Sequence, residues 1–165
     1  YQYINVKTDQ TWLNTISGKI SNKNFGINAG FSILGRALDL GSAIDNDYRY
    51  STEMNSSVYY NILQSNTSFS LFFKAFGKST RIREDKSLGI TQYILAEQKA
   101  FSLMDATISQ KIWKDHFTLT IGARNLFDVT EVQNTTSTGG THVAGNSAER
   151  LFYGRSYFGR LNFNF

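Results

Sequence analysis

The chain contains no cysteine and no proline. Without cysteine there is neither a disulfide framework nor a thiolate metal site. Without proline, every residue can donate a backbone hydrogen bond, which suits a chain built mainly of strands. No stretch reaches the ~18 consecutive apolar residues that a transmembrane helix needs. The opening residues Tyr1-Gln2-Tyr3-Ile4-Asn5 lack the basic-then-apolar order of a signal peptide, so a leader is expected to have been removed, or the chain to start inside something larger. Lysine and arginine are scattered singly and form no stripe with interleaved aromatics, so the net charge of +4 does not suggest a nucleic-acid partner. No Gly-x-Ser-x-Gly elbow is present and no nucleophile is placed beside a histidine, so enzyme chemistry is not expected and no cofactor is implied.

What the 165 residues do contain is alternation. Segments at about 11–21, 25–38, 50–63, 68–82, 97–112, 117–127 and 150–165 alternate in polarity with period two, the mark of strands with one apolar and one polar face. In the last, Leu151, Tyr153, Tyr157, Leu161, Phe163 and Phe165 take odd positions, against Gly154, Ser156, Arg160, Asn162 and Asn164. The segment before it sets Phe117, Leu119, Ile121 and Ala123 against Thr118, Thr120, Gly122 and Arg124. The first, with Trp12, Ile16 and Ile20, is the weakest.

These segments predict an all-β, antiparallel transmembrane barrel. Most reach the roughly 9–11 residues a tilted strand needs to cross hydrocarbon, whereas strands of soluble proteins average about 5–6. Short turns at 21–24, 64–67 and 113–116 alternate with longer links at about 39–49, 83–96 and 128–149, the layout of outer-membrane barrels with short periplasmic turns. Aromatics near the segment ends (Trp12, Phe25, Tyr59, Tyr60, Trp113, Phe117, Phe127, Tyr153, Phe165) stand where interfacial girdles belong. The polar set carries Lys19, Arg36, Glu53, Lys74, Lys78, Asp105, Lys111, Arg124 and Arg160. A cation facing lipid at mid-depth costs about 2–4 kcal/mol, so these side chains are expected to face the lumen.

Two motifs narrow the class. Arg124-Asn125-Leu126-Phe127-Asp128 follows the strand from Phe117, and Gly154-Arg155-Ser156-Tyr157-Phe158 leads into Gly159-Arg160-Leu161-Asn162-Phe163-Asn164-Phe165. The pair resembles the C-terminus of TonB-dependent outer-membrane receptors, where Asn-Leu-Phe-Asp closes the penultimate strand and a Gly-Arg segment opens the last. In the bottom-up reading, Asn125 and Asp128 sit at a strand end, where short polar side chains bond free backbone groups. The resemblance implies that residues 1–165 are the C-terminal part, about seven strands, of a barrel of about 22 strands closed by a plug domain. It implies uptake of a scarce nutrient such as a siderophore, haem, cobalamin or a glycan. The implied partners are outer-membrane lipid, the plug and first strands, TonB through the N-terminal part, the barrel-assembly machinery and a surface lipoprotein. Tyr157, Leu161, Phe163 and Phe165 match the family's assembly signal.

Ligand contacts are expected in the long links. His142 is a candidate haem-iron ligand beside Asn146, although one histidine without a second ligand is more simply a loop residue. Asp45 and Asp47, with Asp39 and Asn46, offer oxygen ligands, but the spacing of a calcium-binding loop is missing and a solvated acidic loop is the plainer expectation. The lumen set Lys74, Lys78, Asp105, Lys111, Arg124 and Arg160 is expected to face the plug, its cations pairing with acidic groups there. Two other classes fit the alternation: a small complete barrel acting as a passive pore or adhesin, and a soluble β-sandwich binding module.

Overall fold

A computed structural model describes residues 8–39, 47–85, 92–113, 116–136 and 147–163. Among them the strands are β1 (Thr8–Ser21), β2 (Phe25–Asp39), β3 (Arg49–Ile62), β4 (Thr67–Phe76), β5 (Ser79–Asp85), β6 (Gln92–Gln98), β7 (Phe101–Ile112), β8 (Phe117–Arg124), β9 (Glu131–Thr136), β10 (Ser147–Arg150) and β11 (Ser156–Phe163), with no helix. Seven form one antiparallel sheet in the order β1-β2-β3-β4-β7-β8-β11. Each of the seven alternating segments supplies one of its strands. The other four strands form a second antiparallel sheet, β10-β9-β6-β5.

Register carries the hydrophobic pattern across the main sheet. Ile20 lies opposite Ile27, Ile27 opposite Val58, Val58 opposite Leu71, Leu71 opposite Ala106, Ala106 opposite Ala123, and Ala123 opposite Tyr157. A second row runs Phe25, Tyr60, Phe69, Ile108 and Ile121. Side chains alternate along each strand, so these rows form one continuous apolar face. The other face follows the same rule, with Lys19 opposite Asn28, Asn28 opposite Ser57, and Asn55 opposite Lys74. Hydroxyl pairs Thr15–Ser32 and Ser109–Thr120, each 2.9 Å apart, tie neighbouring strands on this polar face.

Exposure along β3 is the reverse of a soluble strand. Glu53, Asn55, Ser57 and Tyr59 are half-buried, while Met54, Val58 and Tyr60 are exposed. The apolar face stays exposed across the sheet. Ile16 is 75% exposed, Ile121 60% and Leu161 65%. The only buried apolar residues among those described are Ala37, Ala96 and Val132. A two-layer soluble fold buries a core between its layers, and the described residues contain none. A contiguous exposed apolar face of this kind marks a surface that contacts something else. Aromatics stand at both of its ends. Tyr48 and Tyr50 stack at 6.3 Å near Trp12, and Trp113, Phe117 and Phe163 form a stack with centroids 5.5 and 4.7 Å apart.

Two of the short connections are made by asparagine, and the third turns at Trp113, at φ 52°. Asn22 Oδ1 accepts from the backbone N–H groups of Asn24 (2.8 Å) and Phe25 (2.9 Å). Asn66 closes the next connection at φ 52°, a conformation asparagine tolerates. These turns lie at one end of the main sheet, the turn end, and the second sheet adjoins the opposite, loop end.

Three expectations are corrected. The segments 68–82 and 97–112 are not single strands, because the chain leaves the ladder at 77–78 and 99–100 and enters the second sheet. The Gly77 N–H there bonds Thr52 O at 2.7 Å, and the Lys99 N–H bonds Gln133 O at 2.9 Å. The links 83–96 and 128–149 accordingly contain parts of β5, β6, β9 and β10. The pairing of β6 with β9 joins two hairpin insertions, a long-range partnership that no local pattern displays. The last strand starts at Ser156 and not near 150, and Tyr59 lies on the polar face over Gly26, while Tyr60 joins the apolar girdle. The main sheet does not close on itself among the described residues, since β1 and β11 each have one neighbour.

Gly122 tests the register. A Cβ there would overlap the Phe158 ring, which crosses the strand on the polar face. G122V is expected to cost about 1–3 kcal/mol by overpacking. In the double variant G122V/F158A the costs should fall short of additive, because the clash is removed. Guanidinium unfolding midpoints measure both, and strictly additive costs would contradict this packing.

Candidate functional site: the polar face and the loop-end corner

Strand alternation places Lys74, Asp105, Lys111, Arg124 and Arg160 on one polar face, with Lys78 continuing it in the junction after β4. Most of the charges toward the loop end are paired within the two sheets. Lys74 Nζ is 2.7 Å from Glu53 Oε1 and sits 4.7 Å from the centre of the Phe76 ring. Lys78 Nζ is 3.2 Å from Glu97 Oε1. Arg124 lies over the Phe158 ring at 5.0 Å, an arrangement favoured by the ring quadrupole. Arg36 holds Asp9 through two nitrogens at 3.0 and 2.5 Å, the bidentate geometry that makes arginine–carboxylate pairs strong. Lys74 and Lys78 thus each have an acidic partner within the two sheets.

Asp105 has a structural task. Its Oδ1 accepts the backbone N–H of Asn125 at 2.8 Å where β8 ends. Asn125, 8% exposed and at φ 53°, then turns the chain. Its Nδ2 donates to Val129 O at 2.8 Å, and its Oδ1 accepts from the Val129 N–H at 3.0 Å. The Asp128 N–H bonds Asn125 O at 2.8 Å, and the Leu126 N–H bonds Met104 O at 2.7 Å. Asp128, at φ 58°, reaches across to the start of the last strand, where its Oδ1 accepts the Arg155 N–H at 2.8 Å. Arg155 Nη2 returns a bond to Leu126 O at 2.7 Å. Gly154 takes φ 82°, and a Cβ on it would lie 3.0 Å from Asp128 Oδ1. Thus the two motifs, 30 residues apart from Arg124 to Gly154, bond directly to each other. Phe127 turns to the apolar face and meets Phe73 edge-on at 6.3 Å.

The chemistry on offer is hydrogen bonding and charge. Among the described residues no three His, Cys, Asp or Glu side chains group as a metal site. Asp47 is exposed, and its backbone carbonyl accepts from Arg49 Nη1 at 3.4 Å. Asp45, His142, Asn146 and Phe165 lie outside the described residues. Tyr157, Leu161 and Phe163 stand exposed on the apolar face of β11 at 73%, 65% and 47%. An aromatic row on the polar face, Phe76, Phe101 and Phe152 with centroids 4.7 and 5.7 Å apart, was not anticipated from sequence. Its signal was the shared parity of Phe76 with Lys74 and of Phe101 with Asp105.

No protein-family model, curated protein or solved structure matches the chain.

The corner predicts a graded response. N125A removes both side-chain bonds to Val129 and places alanine at positive φ, for an expected cost of about 1–3 kcal/mol. D128A should release the Arg155 amide to hydrogen exchange while leaving the amides of β3 protected. Exchange followed by mass spectrometry reads this. Unchanged protection at Arg155 would show that Asp128 does not hold the last strand.

Proposed function

We propose that these residues form part of the wall of a bacterial outer-membrane β-barrel, with the apolar face toward lipid and the polar face toward the lumen. The observation that carries this reading is the inverted exposure: apolar side chains stand out on one face of seven aligned strands, and polar side chains crowd the other. Five of these strands run 10–15 residues, β8 and β11 eight each, which suits the hydrocarbon thickness. Open edges on β1 and β11 require further strands to close the wall, because an unpaired edge in lipid leaves backbone groups unsatisfied.

Within that class we propose a TonB-dependent receptor that takes up a scarce nutrient such as a siderophore, haem, cobalamin or a glycan. Support comes from Asn125-Leu126-Phe127-Asp128 and Gly154-Arg155, the motifs of the resemblance, which lock together at the loop end. A plug domain, TonB, the barrel-assembly machinery and a surface lipoprotein are the partners this reading entails. The receptor reading is tested by uptake: transport by the full-length protein should stop when TonB is removed, whereas a passive pore would continue.

The wall reading has a sharper test in paired arginine substitutions. L71R, on the apolar face midway along β4, should cost about 2–4 kcal/mol in a lipid-embedded protein. S70R, one residue away on the polar face, should stay within about 0.5 kcal/mol. Reversible unfolding of the full-length protein in lipid vesicles measures both. Equal costs, or extraction as a monomer into buffer without detergent, would sink the proposal.

A further inference from the structure

A hollow of about 230 Å³ opens on the polar face between β3, β4 and β7. Register builds it from two rows. In one, Ser57 lies opposite Phe72 and Phe72 opposite Asp105. In the next row toward the turn end, Tyr59 lies opposite Ser70 and Ser70 opposite Thr107. Strand alternation puts all of these side chains on the polar face. Phe72 is out of character there. It is 46% exposed and makes no ring contact among the described residues, with a hydroxyl on one side and a carboxylate on the other. Tyr59 lies over Gly26 and borders the hollow. Asp105 gives Oδ1 to the Asn125 N–H, which leaves Oδ2 for another donor. No cation lines the hollow. Lys74 and Arg124, which lie toward the loop end, are engaged by Glu53 and by the Phe158 ring.

We propose that this hollow is a binding site for one pyranose ring of a neutral glycan. The inference rests on the reading that the polar face lines the lumen of a receptor, and it chooses among the nutrient classes named for it. Three features favour a sugar. The hollow is smaller than the roughly 300–1,000 Å³ of sites that enclose a drug-sized ligand, so it admits a single ring and not a haem or corrinoid macrocycle. Its polar groups match hydroxyls: a sugar O–H donates and accepts, as Ser57, Ser70 and Thr107 do, and the Asp105 carboxylate accepts. The C–H face of a pyranose is apolar, and laid on the Phe72 ring it removes apolar surface of both from water. An anionic iron chelate is disfavoured, because the one charge in the lining is negative and like charges repel across an interface. Toward the loop end the aromatic row of Phe76, Phe101 and Phe152 stands on the same face. Phe76 is four residues from Phe72, or about 14 Å along the strand. A linear glycan entering from the loop end meets that row first and the hollow second.

The test is calorimetric titration of the full-length protein, with heat-modifiable gel migration as the check on folding. The probes are linear neutral oligosaccharides of glucose, mannose and xylose, beside haem and a ferric catecholate chelate. One of the sugars should bind the wild type. F72A should weaken that binding by at least about tenfold, and F72Y, which keeps the ring face, should bind as the wild type does. D105N keeps an oxygen for the Asn125 N–H, so it should weaken the sugar while the amide of Asn125 stays protected from hydrogen exchange. S70A/T107A carries the test if F72A does not fold. Sugar binding that these variants leave at wild-type strength overturns the inference. So does a folded wild type that binds no sugar, whether or not it binds haem or the ferric chelate. Uptake with and without TonB then decides the receptor reading separately. A protein that does not insert into lipid at all overturns the wall reading, and the inference with it.

Discussion

Everything in the main sheet depends on the coupling between backbone register and face. Side chains alternate with period two, so a slip of one residue in any ladder would turn a whole strand's apolar set onto the polar side. Here six ladders keep the same phase, from Ile20 in β1 to Tyr157 in β11. The interior packing that ordinarily specifies a soluble fold is almost absent, since only small or β-branched side chains are buried among the described apolar residues. The hydrogen-bonded ladders therefore take over the specifying role.

That inversion explains why the polar face is the crowded one. Gly26 and Gly122 lie under the rings of Tyr59 and Phe158, and Gly30 lies under the amide of Asn55. Small residues leave room for large neighbours to cross the strand, and the polar side chains interlock as core residues do elsewhere. Ion pairs such as Lys74–Glu53 are half-exposed and individually worth little. Their place is near the loop end of the face, where they tie neighbouring strands.

Much of the main sheet was legible because alternation is a local signal. The seven segments, the polar and apolar sets and the three short turns were all readable from residues such as Phe117, Thr118, Leu119 and Thr120. The second sheet was not, because β6 meets β9 only after two hairpins have been placed, and of its pairs Gln98–Asn134 and Glu97–Thr135 are polar while Ala96–Thr136 mixes polar with apolar. The corner was half legible. Asn125 and Asp128 read as strand-end residues, but their true partners, Val129 and Arg155, include one 27 residues away from Asp128. The acceptor role of Asp105 was not legible for a similar reason: it appears only when β7 and β8 are set side by side.

The two sheets also impose an order on assembly. The β5–β6 hairpin is enclosed by the pairing of β4 with β7, and the β9–β10 hairpin is enclosed by the pairing of β8 with β11. The β6–β9 ladder links the two enclosed hairpins, so it spans a loop that the outer pairings have already shortened. Closing it after them therefore costs less chain entropy than closing it first. The second sheet is thus a late event in the nesting, a clasp fastened over strands that already stand together.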